Sequence, residues 1–218
     1  MHLPKSLLNL LAMCYTLLME TKNEVRRKIK LTLNAMSSEE RERESLEACR
    51  AFLLSDFYKN ANCILSYIPL KKELDVSLVN QTALEDKKIL CFPKCVTENV
   101  NKKEFNSLCF YTMNPSQSLE SQIEKNTLCF EPKIEKLNPF VPWGKVCILV
   151  PGLAFTKEGC RLGRGKGYYD GFLLKAETWD CNFDACGICF SSQVVESLPV
   201  EDHDRRMDAI FASQRSRP

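Results

Sequence analysis

Histidine is nearly absent from this sequence of 218 residues, because His2 and His203 are its only two copies. Zinc sites of the Cys–His type and nucleophile pairs of the Ser–His or Cys–His type both require histidine. Neither a histidine nor a second cysteine pair stands at zinc spacing from the C-x-x-C pair Cys186 and Cys189. The sequence therefore gives no indication of such a zinc site or of covalent catalysis assisted by histidine. We interpret His203 as structural or exposed.

The sequence also lacks an excess of charge of either sign. Its 30 basic and 28 acidic residues leave a net charge of +2. A near-neutral chain does not require a nucleic-acid or acidic-membrane partner, so we expect neither. With 44% apolar and 27% charged residues, the composition is ordinary for a soluble globular protein. The length suits one α/β domain, or at most two small ones. We expect a monomer.

Cysteine, by contrast, is abundant, with twelve copies. These cysteines are scattered among apolar neighbours, and Cys63, Cys91 and Cys147 lie in probable strands. Disulfide scaffolds are typical of short secreted chains, which this chain is not. We therefore interpret the cysteines as reduced core residues of a cytoplasmic protein, with a zinc or redox role as the alternative.

Two familiar phosphate-binding motifs are missing. A Walker A loop requires Gly, four residues, and then Gly-Lys-Ser/Thr. Here Gly165 and Lys166 are followed by Gly167, and Cys160 occupies the position of the first glycine. A dinucleotide fingerprint, G-x-G-x-x-G, fails as well, since a motif that begins at Gly163 would end on Tyr168. A nucleotide site in this chain must therefore be of another kind.

A strand, a glycine-rich turn and a helix follow one another in residues 145–174. The apolar run KVCILV at residues 145–150 predicts a buried strand of a parallel sheet. Ligands bind beyond the carboxyl ends of such strands, and helix N-termini attract anions. The pattern predicts a polyphosphate or nucleotide site, with a flexible basic loop as the alternative. The turn alternates glycine with cations, in the order Gly163, Arg164, Gly165, Lys166 and Gly167, and Arg161 precedes it.

Residues 1–21 differ from the rest of the chain. Lys5 precedes an apolar run at residues 6–19, which resembles the charged and apolar regions of a signal peptide. The run has no clear cleavage site, and it is short for a membrane span. We expect translation to begin at Met19, with a targeting peptide as the alternative. Residues 22–218 then form a single domain.

Helices and strands alternate along that domain. Val25, Ile29 and Leu33 predict one face of a first helix over residues 22–36, and a row formed by Lys22, Arg26 and Lys30 flanks it. That row can point at a ligand or can be a solvated edge. Predicted strands lie at residues 62–67, 88–92, 108–111, 145–150 and 185–190, and Pro93 ends the second of them. A second helix starts with a capping box formed by Ser37 and Glu40, and further helices cover residues 76–86 and begin at residue 168. The order predicts an α/β fold with a mostly parallel sheet covered on both faces.

One carboxylate stands where such a sheet displays ligand-binding side chains. Glu73 lies in the loop KKELD, beyond the end of the first predicted strand. Its alternative interpretation is an exposed carboxylate in a loop.

Two long motifs are similar to those of the 5-formyltetrahydrofolate cyclo-ligase family, also called methenyltetrahydrofolate synthetases. They are LVPGLAFTKEGCRLGRGKGYYDGFL at residues 149–173 and LPVEDHDRRMDAI at residues 198–210. Weaker similarities are KNEVRRKIK, SSEERERES and YIPLKKELDV. The resemblance implies a Rossmann-like three-layer α/β sandwich. It also implies an ATP- and magnesium-dependent enzyme that closes 5-formyltetrahydrofolate to 5,10-methenyltetrahydrofolate and releases ADP and phosphate.

The resemblance assigns roles to residues that match the family motifs. Lys22 and Arg26 correspond to a basic pair that meets the phosphates of ATP. Arg164 and Lys166 correspond to the cations that act on the transferred phosphate. The implied nucleotide loop comprises Arg161, Leu162, Gly163, Arg164, Gly165, Lys166, Gly167, Tyr168 and Tyr169. The implied folate-binding residues are Glu73, Arg164, Gly165, Lys166, Gly167 and Tyr168.

Two carboxylates correspond to positions that the family associates with magnesium, Asp170 and Asp204. Without the resemblance, Asp170 would be a carboxylate that the helix dipole favours near an N-terminus. The chain departs from the family at Thr156, where aspartate is common, and at Ala212, where threonine is frequent. Neither departure falls on a residue with an implied role.

The implied chemistry suits these residue types. An amide oxygen leaves poorly, so the formyl oxygen is expected to be phosphorylated by ATP before the neighbouring folate nitrogen attacks the formyl carbon. Positioning and charge stabilisation are then the main tasks of the protein. The alternative is a non-catalytic relative that binds RNA through the basic glycine turn. A different ATP-dependent ligase on the same scaffold stays open as well.

Overall fold

The structure is a computed structural model that describes residues 20–100, 103–125, 130–199 and 205–213, without the side chains of residues 98–100, 103–105 and 136. The expectations for the N-terminal segment, for His203 and for the predicted magnesium ligand Asp204 lie outside the described residues. No helix in the described part is both long enough and apolar enough to cross a membrane.

Six α-helices lie in the described part of the chain. They are α1 (Lys22–Ala35), α2 (Ser38–Leu53), α3 (Asp56–Lys59), α4 (Ser77–Glu85), α5 (Leu119–Gln122) and α6 (Tyr168–Ala176). Helix α2 begins with the capping box that the sequence predicts, because Ser37 and Glu40 cap each other's backbone N–H groups. Thr21 and Glu24 form a second capping box at the start of α1, which the sequence analysis missed.

The strands form one central sheet and two small hairpins. They are β1 (Cys63–Leu65), β2 (Ile89–Val100), β3 (Lys103–Thr112), β4 (Ile123–Lys125), β5 (Phe130–Pro132), β6 (Asn138–Pro139), β7 (Val146–Val150), β8 (Ala154–Phe155), β9 (Arg161–Leu162), β10 (Phe183–Cys189) and β11 (Ala209–Ala212). The seven strands of the central sheet have the order β11-β10-β7-β1-β2-β3-β6. The five strands β11, β10, β7, β1 and β2 are parallel to one another, whereas β3 is antiparallel to β2 and β6 is antiparallel to β3.

Helices cover both faces of the sheet, which confirms the predicted α/β class. On one face, Ile64 of β1 and Leu149 of β7 lie in a core cluster with residues of α1, α2 and α4. On the other face, Leu65 and Ile148 lie in a second cluster with Phe172 of α6. All five residues of β7 are buried, as expected for a central parallel strand between two helical layers.

The second predicted strand is longer than the sequence indicates. We expected Pro93 to end it, but β2 runs through Pro93 to Val100 and forms a long hairpin with β3. Strand β2 pairs with β1 only as far as Cys91, and Pro93 pairs only with Phe110 of β3. Because β1 ends before it reaches Pro93, the missing N–H of this proline interrupts no hydrogen-bond ladder between β1 and β2.

The described cysteines agree with the interpretation as reduced residues. Ten are free thiols, and most of them are buried. Burial, reinforced by the nearby charge of Asp75, raises the pKa of the Cys49 thiol to about 12. This thiol is therefore a protonated core group rather than a nucleophile at neutral pH.

Candidate active site

The candidate site lies where the chain crosses from one half of the sheet to the other. Strands β1 and β7 are neighbours and parallel, so their carboxyl ends meet at the same edge. The chain continues from β1 to β2 on one side and from β7 to β10 on the other. This is a topological switch point, where the loops after the two strands diverge and leave a crevice for a ligand. The Glu73 loop follows β1, and the glycine turn follows β7.

The glycine turn joins the small β8–β9 hairpin to helix α6. Gly165 and Gly167 have backbone φ angles of +88° and +74°, which disfavour any residue with a side chain. Gly167 is also the N-cap of α6, so no side chain caps the N–H groups of the first helical turn. A helix start of this kind offers backbone donors and the positive end of the helix dipole to an anion.

Arg26 of α1 holds the turn from the other side of the crevice. Its Nε donates a hydrogen bond of 3.0 Å to the carbonyl of Gly163. Its guanidinium also lies against Gly165, where an added Cβ would be 3.3 Å from Cζ. Asn23, one helical turn earlier, accepts a bond of 2.7 Å from Arg26 Nη1. The first helix and the glycine turn are thus joined by one arginine.

A cavity of about 470 Å³ opens between α1 and the glycine turn. Its lining residues are Asn23, Arg26, Arg27, Lys30, Leu31, Arg164 and Gly165. This set contains four cations and no carboxylate, so its charge and size suit a polyanionic small molecule. Of the predicted basic row, Arg26 and Lys30 line the cavity, and Lys22 lies one turn nearer the start of α1. Arg27 was missed by the sequence analysis because it lies outside that row.

Arg164 connects this cavity with the Glu73 loop. Its Nε and Nη2 donate hydrogen bonds of 3.1 and 2.8 Å to Oε1 of Glu73. The other carboxylate oxygen of Glu73 accepts a bond of 3.0 Å from the backbone N–H of Leu70. Both partners of the ion pair also line a second, small and partly enclosed space of about 10 Å³, together with Tyr67, Pro151 and other residues. Arg164 is therefore shared by two spaces, one cationic and open, the other small, partly enclosed and mixed in polarity.

Arg161 and Asp170 form a separate ion pair behind the turn. The side chain of Arg161 is only 6% exposed, and its Nη2 contacts Oδ1 of Asp170. Its Nη1 donates a bond of 3.2 Å to the carbonyl of Pro151, and its guanidinium lies 5.8 Å from the ring centre of Tyr169. Arg161 thus stabilises the turn through these buried contacts, whereas the Arg164 side chain is 47% exposed and can reach a ligand.

The carboxylate of Asp170 is the described group that best fits a magnesium ion. Its side chain is 53% exposed at the start of α6, directly after the glycine turn. Within the described residues there is no group of three metal-ligating side chains. Magnesium does not need such a group in nucleotide sites, because one or two carboxylates and the substrate phosphates usually suffice. The Asp170 carboxylate, together with the phosphates of a nucleotide bound at the glycine turn, would therefore be a suitable set of donors.

Two tyrosine hydroxyls lie near Glu73. Burial and, next in importance, the charge of Glu73 raise the pKa of both Tyr67 and Tyr169 well above the usual value. Both hydroxyls therefore stay protonated at neutral pH and can donate hydrogen bonds. Tyr67 donates to the carbonyl of Leu74 at 3.2 Å. The buried hydroxyl of Tyr169 has no hydrogen-bond partner within the described part of the chain. Tyr168 packs against the core on the α6 side.

Comparisons with known proteins relate the whole described fold to one family. Residues 18–213 match the model of the 5-formyltetrahydrofolate cyclo-ligase family. A mouse 5-formyltetrahydrofolate cyclo-ligase is 26% identical over 199 residues, which cover 87% of this chain and 92% of the relative. The NMR structure of a 5,10-methenyltetrahydrofolate synthetase from Aquifex aeolicus is similar with a TM-score of 0.67 and 28% identity, over 90% of this chain and 94% of the other. A synthetase of the same name from Mycoplasma pneumoniae has the same fold, with a TM-score of 0.65 and 20% identity over 89% of this chain and all of the other.

Proposed function

The chain belongs to the 5-formyltetrahydrofolate cyclo-ligase family, and on this premise we propose that it closes 5-formyltetrahydrofolate to 5,10-methenyltetrahydrofolate at the expense of ATP. The observation that best supports the proposal is the position of Arg164. This side chain lines the cationic cavity and at the same time contacts Glu73 across the switch point. A residue in this position suits a two-substrate enzyme, because the nucleotide must lie beside its acceptor. The RNA-binding alternative has no support in the comparisons.

The chemistry requires that an inert amide oxygen becomes a leaving group. The formyl oxygen attacks the terminal phosphorus of ATP, and ADP departs. The neighbouring folate nitrogen then attacks the formyl carbon and loses its proton, and the bond between carbon and the phosphorylated oxygen breaks to release phosphate. In phosphoryl transfer the protein contributes mainly position and charge stabilisation. No nucleophilic side chain is needed.

The cations of the site and Glu73 then have separate roles in the proposed reaction. Arg26 and Lys30 bind the nucleotide phosphates from α1, with Lys22 at the outer end of the same helix. Arg164, Lys166 and the N–H groups at the start of α6 stabilise the charge on the transferred phosphate. Glu73 exchanges its bond with Arg164 for hydrogen bonds to the pterin. The exposure of Lys166 and Arg164 supports these assignments.

We also propose magnesium as the metal that accompanies ATP. Asp170 would hold it, and Asp204 would contribute a second carboxylate. When bound, magnesium neutralises charge on the phosphate oxygens. Arg161 keeps the Asp170 carboxylate at the edge of the turn through their ion pair.

The wider setting is proposed on more general grounds. We propose that residues 22–218 form one domain, which acts as a monomer in the cytoplasm without nucleic acid or membrane. The ten free cysteines of the described residues suit a reducing compartment. The net charge of +2 gives little attraction to polyanionic surfaces.

The proposed reaction has a direct optical test. Purified protein with 5-formyltetrahydrofolate, ATP and magnesium is expected to produce the near-ultraviolet absorbance of the methenyl product. Reactions without ATP and reactions with a non-hydrolysable ATP analogue serve as controls and are expected to give no product. A folded sample that forms no product under these conditions would contradict the proposed function.

Arg26→Ala is expected to raise the KM for ATP by about tenfold to a hundredfold. The change removes one of the four cations of the cavity and the bond that holds Gly163, and a charge-assisted hydrogen bond from Arg26 to a phosphate would contribute about 1.5–3 kcal/mol to binding. The KM for the folate should change little, because Arg26 does not line the space beside Glu73. The measurement is the steady-state rate with each substrate varied in turn.

Lys28→Ala is the matched control for Arg26→Ala. Lys28 lies on the same helix, is exposed and pairs with Glu20 away from the cavity. It should leave both KM values within about twofold, because an exposed ion pair contributes little. An unchanged KM for ATP in both variants would show that α1 does not bind the nucleotide through Arg26.

A further inference from the structure

Asn106 of β3 contacts the glycine turn from the hairpin side. Its Nδ2 donates a hydrogen bond of 2.8 Å to the carbonyl of Lys166. Its Oδ1 accepts a bond of 3.4 Å from the hydroxyl of Thr97, which is its cross-strand partner in β2. The bond to Lys166 by itself orients the amide, because only its NH₂ group can donate to a carbonyl. A residue that is 60 positions away in sequence therefore holds the backbone of the turn.

The hairpin that carries Asn106 is packed tightly against the start of α6. Gly171 lies so close to β3 that an added Cβ would be 2.6 Å from the carbonyl oxygen of Asn106. Next to this contact, the rings of Phe110 and Phe172 lie 4.7 Å apart, centre to centre. Strand β3 therefore packs directly against the start of α6, and this packing places the Asn106 amide beside the turn.

The bond to Lys166 also orients the next backbone N–H group. In a trans peptide the C=O of Lys166 and the N–H of Gly167 point in opposite directions. With its carbonyl on Asn106, this peptide presents the N–H of Gly167 away from the hairpin. The turn needs such a restraint, because Gly165 and Gly167 both have positive φ angles and glycine loses much backbone entropy when it is ordered.

We propose that Asn106 is a positioning residue for the nucleotide. It acts through the Lys166 carbonyl, keeps the glycine turn in the phosphate-binding conformation before ATP arrives, and touches neither substrate. If the turn is already ordered before the nucleotide binds, the free energy of binding does not include the entropic cost of ordering the turn. The inference rests on the proposed function, because it assumes that the turn binds the phosphates of ATP.

Asn106→Ala is the first test. We expect the Kd of a non-hydrolysable ATP analogue and the KM for ATP to rise about fivefold to tenfold, the usual consequence of losing one neutral hydrogen bond. The KM for 5-formyltetrahydrofolate and the melting temperature should change little, because the packing around Gly171 uses the backbone of Asn106 and not its side chain.

Asn106→Asp separates positioning from packing. Aspartate has the same shape, but its carboxylate cannot donate to the Lys166 carbonyl, and it adds a negative charge beside the phosphate site. We expect a rise in the nucleotide Kd of more than about tenfold at neutral pH. As the pH is lowered toward the ordinary carboxyl range, the protonated side chain donates again. The Kd should then move back toward that of the wild type measured at the same pH, a recovery that a purely structural defect would not show.

Thr97→Val is the matched control, since it alters the other member of the same cross-strand pair and leaves the Asn106 donor in place. It should keep the nucleotide Kd within about twofold. A wild-type Kd in both Asn106 variants would overturn the inference, and so would equal losses in Thr97→Val. If Asn106→Ala does not fold, the isosteric aspartate variant and its pH dependence decide the question. A wild-type protein that neither binds ATP nor forms product would instead overturn the proposed function itself.

Discussion

Replacing Arg164 by alanine is expected to lower kcat/KM by about a hundredfold to a thousandfold, the range seen when one preorganised donor to a transition state is removed. Two interactions are lost together. The cationic cavity loses one of its four positive charges. Glu73, whose side chain is only 16% exposed, loses the guanidinium that now holds Oε1. Because Arg164 lines both spaces, the KM values for ATP and for the folate should both rise. The measurement is the rate of methenyl formation with each substrate varied.

Arg164→Lys distinguishes charge from geometry at this position. Lysine keeps the positive charge but cannot direct two N–H groups in a planar fork at one carboxylate oxygen. We expect an intermediate loss, larger for the folate than for ATP. Lys157→Ala is the control, because this exposed residue lies in the turn between β8 and β9 and lines neither space. Wild-type kcat/KM in a folded Arg164→Ala protein would show that Arg164 does not contact the reacting phosphate.

Asp170→Ala is expected to lower turnover by about a hundredfold, since the proposed magnesium site loses its described carboxylate. A second readout is independent of turnover. The wild-type protein should bind an ATP analogue more tightly with magnesium than without it, and the variant should lose most of this difference. Calorimetric titration in the presence and absence of the metal measures the effect.

The ion pair with Arg161 requires a second substitution at this position. Arg161 is nearly buried, so its guanidinium loses a partner in Asp170→Ala, and the variant is expected to be less stable. Asp170→Asn keeps an oxygen acceptor for Arg161 but removes the charge, so it should melt near the wild type and still lose the magnesium effect. Asp180→Asn, in the exposed segment after α6, is the charge-matched control. A full magnesium effect in both Asp170 variants would show that this carboxylate is not a ligand.

Local signals in the sequence predicted several elements correctly. The spacing of Val25, Ile29 and Leu33 places them on one buried face of α1, because helical periodicity is a property of the segment alone. The capping box at Ser37 acts within four residues, and it is confirmed at the start of α2. The apolar run before Pro151 is the fully buried strand β7, as predicted. It could be recognised without knowledge of its neighbouring strands, because its signal is the apolar run itself.

Two differences show what local signals cannot supply. Pro93 looked like the end of a strand, but a proline interrupts a strand only where its N–H faces a partner, and the partner is decided by the sheet order. Asn106 carried no signal in the sequence at all. Its contact with Lys166 exists only because the long hairpin folds back over the start of α6.

The arginines at the glycine turn also show a difference between what the sequence predicts and what the tertiary structure decides. In the sequence, Arg161 and Arg164 are equivalent cations, three positions apart. The structure buries the first against Asp170 and exposes the second beside Glu73, since Arg161 lies in β9 and Arg164 in the glycine turn after it. Burial therefore decides which of the two arginines supports the turn and which can contact a ligand. Burial depends on the tertiary structure and cannot be read from the residue type.

By itself, the sequence determined the chemical inventory of this protein. It supplies a glycine turn with cations, a carboxylate at a helix start, another after the first strand, and a parallel α/β framework, because composition and short-range periodicity encode all of these. Only the tertiary structure decided which of the groups meet. The juxtaposition of β1 with β7 brings Glu73 to Arg164 across 91 positions of chain. The physical reason is that hydrogen bonds and ion pairs act over a few ångströms, so long-range strand pairing must first bring their partners together.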